Sequence, residues 1–600
     1  MGIDGPSSGG IVVACGIPAD LSWIEALPFG NTIFRGDRMS TVLPPSPPQT
    51  APAPSPEELR TPYVPDMTEA LDDDQIPVLQ DRTPDWFRMR PSGLALVGLL
   101  CIIFLVINLY GPFPQFRLWH TDLWGHLAYG RWIVEHRALP ETEPLMPLSR
   151  GVPMVDTAWL TQVVGHLTME HVGVFGLRFL YTGSIIASLG LLSLTLYRRT
   201  ESLLAACLSL AVFGGVSYQL FWVARPQLAG LVCFVMTLLI ATRPVWPQWA
   251  WGAIPLLFAL WANLHGSFAM GLVLLATLCV GRAVDVWRRT KSLSKALADG
   301  RFRRLLIAGE LAAAATLLNP YGLGLHLEVL TFGRNPNLSS LMEWDPLTLR
   351  DYPGQAMAVV VLAMAWMYRA TPRRIGTGEL LLLLGLGLWS LWTARIIVWW
   401  APVAAYYSAL HIAAIRQTRR TAPPQSHPAG IWTVVGLAMA LMTFLVTPSG
   451  MAATRAFKMS LGLPVPKLDP KVAEVTFRRA VSPATPVLAA NFLKEHPPKG
   501  QIFNAYEYGD YLEWAVPGLQ VFVTSHIHLV PTEVWEHYID IANASGEWKR
   551  HLDLYGVNCL VLEARRQPAL IRALRQDTET WDVAFEEKDH TVVFQRRKPL

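Results

Sequence analysis

The stretch SGLALVGLLCIIFLVINLYG at residues 92–111 holds no charged side chain. Crossing the apolar core of a bilayer takes roughly 20 such residues in a helix. Lipid offers the backbone no hydrogen-bond partner, so a helix is the form this stretch has to take there. The pattern recurs. Apolar runs follow at 177–197, 202–221, 226–242, 249–264, 266–283, 304–319, 354–370, 376–392, 395–413 and 430–447. The expected fold is mainly α: a polytopic transmembrane helical bundle of about 11 spans, followed by a small C-terminal α/β domain.

Composition agrees. Hydrophobic residues make up 52% of the chain and charged residues 16%, against a usual quarter charged. That excludes an ordinary soluble enzyme of this size. The net charge of +4 is unremarkable, and no nucleic-acid partner is expected. Six scattered cysteines show neither a disulfide framework nor zinc-ligand spacing. Residues 1–90 read as a disordered cytoplasmic segment, proline-rich over 43–66. The brief apolar run Ile11–Ile17 lacks the cations of a signal peptide, and Met39 is a second candidate start. The transmembrane domain covers 91–450, with outer loops at 112–176 and 319–353. A linker at 451–483 leads to the α/β domain at 484–600.

Orientation follows from Lys and Arg, which stay with cytoplasmic loops. Arg88 and Arg90 precede the first span. Eleven spans then place Arg198, Arg199, Arg243, the 288–304 cluster, Arg373, Arg374 and Arg416 on the same inner side. Residues 157–172, with two His and a Glu, are read as lying along the membrane surface; a twelfth span there would invert every later loop. The N-terminus is thus expected in the cytoplasm and the C-terminal domain outside it. Arg225 and Arg395 break the pattern by sitting at outer span ends. Snorkelling to headgroups explains each about as well as function does.

Residues 118–137 have apolar positions Trp119, Leu123, Leu127 and Val134 at helical spacing. They read as an interfacial helix, with Trp124 and Trp132 at headgroup level. Asp122 and His126, four apart, share one side. From the spacing alone, a plain amphipathic helix with wetted polar residues is the plainer reading. Glu310 is a carboxylate inside a span, where it is costly; a hydrogen-bonded place inside the bundle is expected for it.

The run HTDLWGHLAYGRWI at 120–133, then VDTAWLTQ at 155–162, ARPQ at 224–227, WANLHGSF at 261–268, NPYG at 319–322 and EW at 343–344 resemble, in order, a bacterial membrane-protein family. That family is itself similar to the GT-C glycosyltransferases, which use polyprenyl-phosphate sugars. The resemblance covers roughly 92–600. It implies an inverting transfer of sugar from a polyprenyl-phosphate donor to a glycan, lipid or protein acceptor, at the outer face of a bacterial inner membrane. It also implies an acidic base in the first outer loop, the position of Asp122, with Asp156 as a second acid. The family's companion acid two residues earlier is His120 here. His120, Asp122 and His126 offer ligands for a divalent metal, though their spacing is not diagnostic. For the leaving phosphate the candidates are Arg225 and Arg395, helped by His265, His126 and Glu343, because a guanidinium fork matches phosphate oxygens. For His265 a helix–helix hydrogen bond near Asn263 is the plainer reading. Asn319 is explained as well by a turn before Pro320, and Glu343 and Asp345 by solvated loop charge.

In the C-terminal domain, β-like runs at 501–504, 521–524, 559–562 and 592–595 alternate with helical stretches, which predicts a mainly parallel sheet. NAYEYGDYL at 504–512 resembles another element of the same family. Its relatives carry an Asp and an Arg after the next strand, where this chain has Ser525, His526, Ile527 and His528. His526 and His528 alternate toward one side, and a surface turn is the plainer reading. Two functions stay open: the glycosyltransferase, and a non-catalytic relative that binds a partner for assembly or sensing through its C-terminal domain. A transporter ranks third, since no internal repeat is visible.

Overall fold

The uncharged stretch that decides the fold becomes one helix, α1 (Pro91–Leu109), in a computed structural model describing residues 83–109, 117–118, 122–418, 427–465 and 469–600. Expectations for residues 1–82, and for Trp119 and His120, lie outside the described residues. Residues 83–90, expected to be disordered, are held: Met89 and Ala429 exchange backbone hydrogen bonds at 3.2 and 3.0 Å.

After α1 come two short helices, α2 (Asp122–His136) and α3 (Trp159–His171), which pack on each other. The bundle continues with α4 (Val174–Thr200), α5 (Leu203–Val216), α6 (Gln227–Ala241), α7 (Trp249–Leu264) and α8 (Phe268–Thr290). Then follow α9 (Leu293–Ala298), α10 (Gly300–Ala315), α11 (Leu323–Thr331), α12 (Tyr352–Ala370), α13 (Thr377–Trp392), α14 (Ile397–Gln417) and α15 (Gly430–Leu445). The eleven expected spans fall on α1, α4 to α8, α10 and α12 to α15. Among the described residues, four helical runs are long and apolar enough to cross a membrane, α1, α4, α8 and Ala394–Gln417, and a fifth candidate is the bent pair Gly430–Leu445 and Pro448–Ser460. The helices α5, α6, α7 and α13 are shorter and apolar. The run ending in α14 is the centre of the bundle, with 83% of its apolar window buried against α4, α5, α6, α12 and α13.

Caps set several boundaries. Ser202 accepts from the Ala205 N–H to start α5. Asp299 accepts from the N–H groups of Arg301 and Phe302 and binds Arg282 through both oxygens, so α10 begins at Gly300, earlier than its apolar run. Glu310 is exposed on α10, which corrects the expectation of a buried place. Arg178, fully buried, donates to the Ile107 and Asn108 carbonyls at the end of α1. There the cation meets both unpaired carbonyls and the negative end of the helix dipole.

The helix directions give the bundle two ends. One gathers Arg90, bonded to Glu201 at 2.8 Å, Arg199 on the Leu239 carbonyl, and Arg304 on the Arg243 and Pro244 carbonyls. The other carries α2, α3, the 319–353 loop and the C-terminal region.

The expected linker 451–483 is largely helical, with α16 (Pro448–Ser460) and α17 (Pro470–Ala480). Leu118 pairs with it, donating to the Ala480 carbonyl and accepting from Ser482 N–H. The last region contains α18 (Val487–Glu495), α19 (Gly509–Ala515), α20 (Thr532–Ala542), α21 (Trp548–Leu554) and α22 (Pro568–Gln576). Its four strands are β1 (Ile502–Asn504), β2 (Cys559–Glu563), β3 (Trp581–Glu587) and β4 (Thr591–Arg596), in the order β1-β2-β4-β3. β1 pairs with β2 in parallel, and the other two pairings are antiparallel. The sheet is therefore mixed, correcting the mainly parallel expectation. Residues 521–524 form no strand. They lie beside β1, where the Asn504 side chain accepts from Phe522 N–H and donates to the Val523 carbonyl.

Candidate active site

Asp122 opens α2, where a carboxylate complements the positive end of the helix. Its Oδ2 lies 2.6 Å from Arg225 Nε. Arg225 stands just before α6, and its Nη1 donates to Glu343 Oε2 at 2.6 Å. The other oxygen of Glu343 is 3.4 Å from Arg395 Nη1. Arg395 lies over the Trp344 ring at 5.2 Å and near Phe332 at 5.9 Å, a cation–π seat that aims its fork. Four charged side chains from four separate segments thus form one alternating chain: carboxylate, guanidinium, carboxylate, guanidinium. Burial alone drives the Glu343 carboxyl upward; the Arg225 and Arg395 guanidiniums outweigh it and hold it at about 2.

His265 sits in the turn between α7 and α8, where its Nδ1 accepts from Ser267 N–H at 3.1 Å. Burial, then the charges of Arg395 and Arg225, push it down to about 3, so it is a neutral imidazole beside the two arginines. Asn263 bonds elsewhere, to Trp159 Nε1 and the Ala259 and Leu318 carbonyls.

Beside this chain of charges lies a second polar layer between α2, α3 and the C-terminal region. His126 Nδ1 is 3.3 Å from Gln162 Nε2, and its ring meets His526 edge-on at 5.2 Å. Burial, then His526, lower it well below the ordinary histidine value. Asp156 belongs here: its Oδ1 accepts from Ala158 N–H and Gln162 Nε2, and its buried Oδ2 has no hydrogen-bond partner among the described residues. Burial raises it to about 6. The structure therefore brings Asp122, Arg225, Glu343 and Arg395 into direct contact, with His265 and His126 next to them. Asp156 sits in the neighbouring layer.

The C-terminal region closes over both layers. Gly125 of α2 makes that possible: a Cβ there would meet Asp510 Oδ1 at 2.0 Å and His526 Cε1 at 3.2 Å. Asp510 accepts from the Ser525 N–H and hydroxyl and lies 3.7 Å from His526 Nδ1. Burial lowers the His526 imidazole, but Asp510 and the Asp122 and Glu143 carboxylates together raise it above its ordinary value. His528 sits against Phe332 at 4.9 Å and is pushed down to about 3 by burial, His526 and Arg395. Both histidines are enclosed between bundle and domain, which corrects the surface-turn expectation. Trp124 is likewise buried, against Tyr511 and Trp514 at 5.0 and 4.7 Å. Sequence reading placed Tyr506 to Asp510 and Ser525 to His528 together at strand ends where a ligand would sit, without singling out Asp510, and it passed over Gln162 and the buried pair Tyr129–Glu143, joined at 2.5 Å. The G-D within NAYEYGDYL was the available signal for Asp510.

The described residues do not make a metal centre. No group of three or more His, Cys, Asp or Glu among them is arranged to hold an ion. Asp122 already faces a guanidinium at 2.6 Å, which occupies the place a cation would take. His120, the third expected ligand, lies outside the described residues.

No family model matches the chain, and no curated protein matches it. Among solved structures it is similar to the oligosaccharyltransferase of Archaeoglobus fulgidus tethered with an acceptor peptide, at 12% identity and a TM-score of 0.46, over 86% of this chain and 74% of that one. It is also similar to ArnT from Cupriavidus metallidurans in the apo state, at 14% identity and a TM-score of 0.46, over 84% and 96% of the two chains. The same ArnT bound to undecaprenyl phosphate gives 13% identity and a TM-score of 0.39.

Proposed function

We propose that this chain is a multi-pass GT-C-type glycosyltransferase that moves a sugar from a polyprenyl-phosphate donor to an acceptor at the extracytoplasmic face of a bacterial inner membrane. The observation that carries the reading is the convergence of Asp122, Arg225, Glu343 and Arg395 at the end of the bundle opposite the basic loops. In the reaction, the acceptor oxygen bonds to the sugar anomeric carbon as its proton passes to the Asp122 carboxylate. The bond from that carbon to the phosphate oxygen breaks, and the electron pair leaves with the phosphate. A single displacement of this kind inverts the anomeric centre. Arg225 and Arg395 stabilise the charge that develops on the phosphate. Glu343 holds both guanidiniums at one point, and neutral His265 adds no competing charge. No step runs through a metal. The test is transfer in membranes supplied with labelled lipid-linked sugar. Asp122→Asn is expected to lower the rate about 100- to 10,000-fold, the range for loss of a general base. Undiminished transfer eliminates Asp122 as the base.

A second reading has its own support: each arginine already faces a carboxylate, as in a structural ion-pair network. On that reading the chain is a non-catalytic member that binds a partner through its C-terminal domain. Purified protein that binds no polyprenyl phosphate decides for it.

A further inference from the structure

The turn Tyr506–Tyr508 follows β1 and leads directly into α19. Ala505 N–H donates to the Val561 carbonyl at 2.8 Å, and Tyr506 N–H donates to Tyr538 Oη at 2.7 Å. Tyr506 thus leaves the C-terminal end of the parallel pair β1–β2, the edge where open α/β sheets receive ligands, with its backbone fixed. The residue is 8% exposed, and the Trp535 ring meets its ring edge-on at 5.9 Å. Two grips bring this turn to the ion-pair chain. On one side α19 packs on α2, which Asp122 opens, and Gly125 three residues on admits Asp510. On the other, Trp535 Nε1 donates to Ser340 Oγ at 3.3 Å, three residues before Glu343. Asn337, buried in the same segment, donates to the Ile527 and Val530 carbonyls at 2.8 Å each. Tyr506 belongs to both grips: it precedes α19 and touches Trp535.

The backbone N–H of Tyr506 is bonded, but its hydroxyl has no hydrogen-bond partner among the described residues. Burial, then the Asp122, Asp510 and Glu343 carboxylates, raise this phenol well above its ordinary value, with Arg225 opposing them. It therefore keeps its proton and stays neutral. Charges act on one another less as they separate, so the groups that act on Tyr506 are its neighbours. The chain of charges offers a base and two phosphate-binding guanidiniums, and none of these suits a neutral sugar ring. A hydroxyl that both donates and accepts does. One that is buried and unpaired also gains by meeting a partner.

We propose that the Tyr506 hydroxyl bonds a ring hydroxyl of the transferred sugar, so that the C-terminal region helps choose which sugar is moved. This rests on the transfer reading above, and a binding experiment separates the two. Full-length protein in detergent is titrated with bare undecaprenyl phosphate and with undecaprenyl phosphate bearing glucose, mannose, galactose or N-acetylglucosamine, followed by tryptophan fluorescence. The wild type is expected to bind at least one sugar-bearing lipid more tightly than the bare one. Tyr506→Phe keeps the ring and the bonded N–H. It is expected to weaken that lipid about 5- to 30-fold, the scale of one hydrogen bond lost inside a site, and to leave the bare lipid unchanged. Tyr508→Phe loses a hydroxyl already placed on Thr591 and the His590 carbonyl, and keeps both affinities. An unchanged affinity of Tyr506→Phe for the sugar-bearing lipid overturns the contact. So does a wild type that prefers none of the four sugars. Equal weakening of bare and sugar-bearing lipid overturns it in favour of a contact to the phosphate. A wild type that binds none of the lipids overturns the transfer reading together with it.

Discussion

Replacing Glu343 by Gln removes the carboxylate that both arginines share while keeping its shape and an accepting oxygen. Its magnitude follows from the site. The carboxyl is held at about 2, against an ordinary 4.5, and each unit is worth about 1.4 kcal/mol, so the ion pairs contribute ~3 kcal/mol. Glu343 is about a third exposed, with a side-chain exposure of 31%, and solvent screening reduces this to ~2 kcal/mol. The sign is that of a depressed carboxyl: the stabilisation is present above the unfolded value near 4.5 and is lost as pH falls through about 2. The assay is thermal unfolding of detergent-purified protein, followed by tryptophan fluorescence. Glu343→Gln is expected to melt ~2–4 °C below the wild type at pH 7, and the gap to shrink to less than half near pH 3. An unchanged melting temperature at pH 7 refutes the electrostatic account. A deficit equal at pH 7 and pH 3 refutes it too, because lost packing does not titrate.

Two further perturbations test the neighbouring layers. Gly125→Ala forces a methyl to 2.0 Å from Asp510 Oδ1, and is expected to loosen the C-terminal region by about 1–3 kcal/mol; faster proteolytic release of residues beyond 484 reports it, and an unchanged rate contradicts the close approach. Asp156→Asn removes a carboxyl that burial raises to about 6. Because the wild type loses stability as pH rises from its unfolded value through about 6, the variant's relative melting temperature is expected to be higher at pH 8 than at pH 4, by up to ~3 kcal/mol of stability. A pH-independent difference rejects a buried, titrating Asp156.

The length and apolarity of single stretches were enough to read the helices from the sequence, because a bilayer imposes its requirement on each span separately. The two arginines that break the charge pattern are likewise local anomalies, whereas the acid opening α2 stood out only through the family resemblance. What joins Asp122, Arg225, Glu343 and Arg395 is not local. They are spread over more than 270 positions of the chain, and their contacts follow from how α2, α6 and the loops before α12 and α14 end at the same level. The sheet needed tertiary structure for a similar reason. Trp581–Glu587 carries three acids and leaves one face exposed, so its pairing with β4 has little hydrophobic signature.

Histidines 526 and 528 show the divide most sharply. A turn of Ser, His, Ile and His reads as solvated, and nothing in its own composition says otherwise. The enclosure of His526 depends on a glycine some 400 residues earlier in the chain, whose missing side chain admits Asp510 and the His526 ring against α2. A sequence states what each segment requires of its surroundings; only close packing between distant segments determines which surroundings it receives.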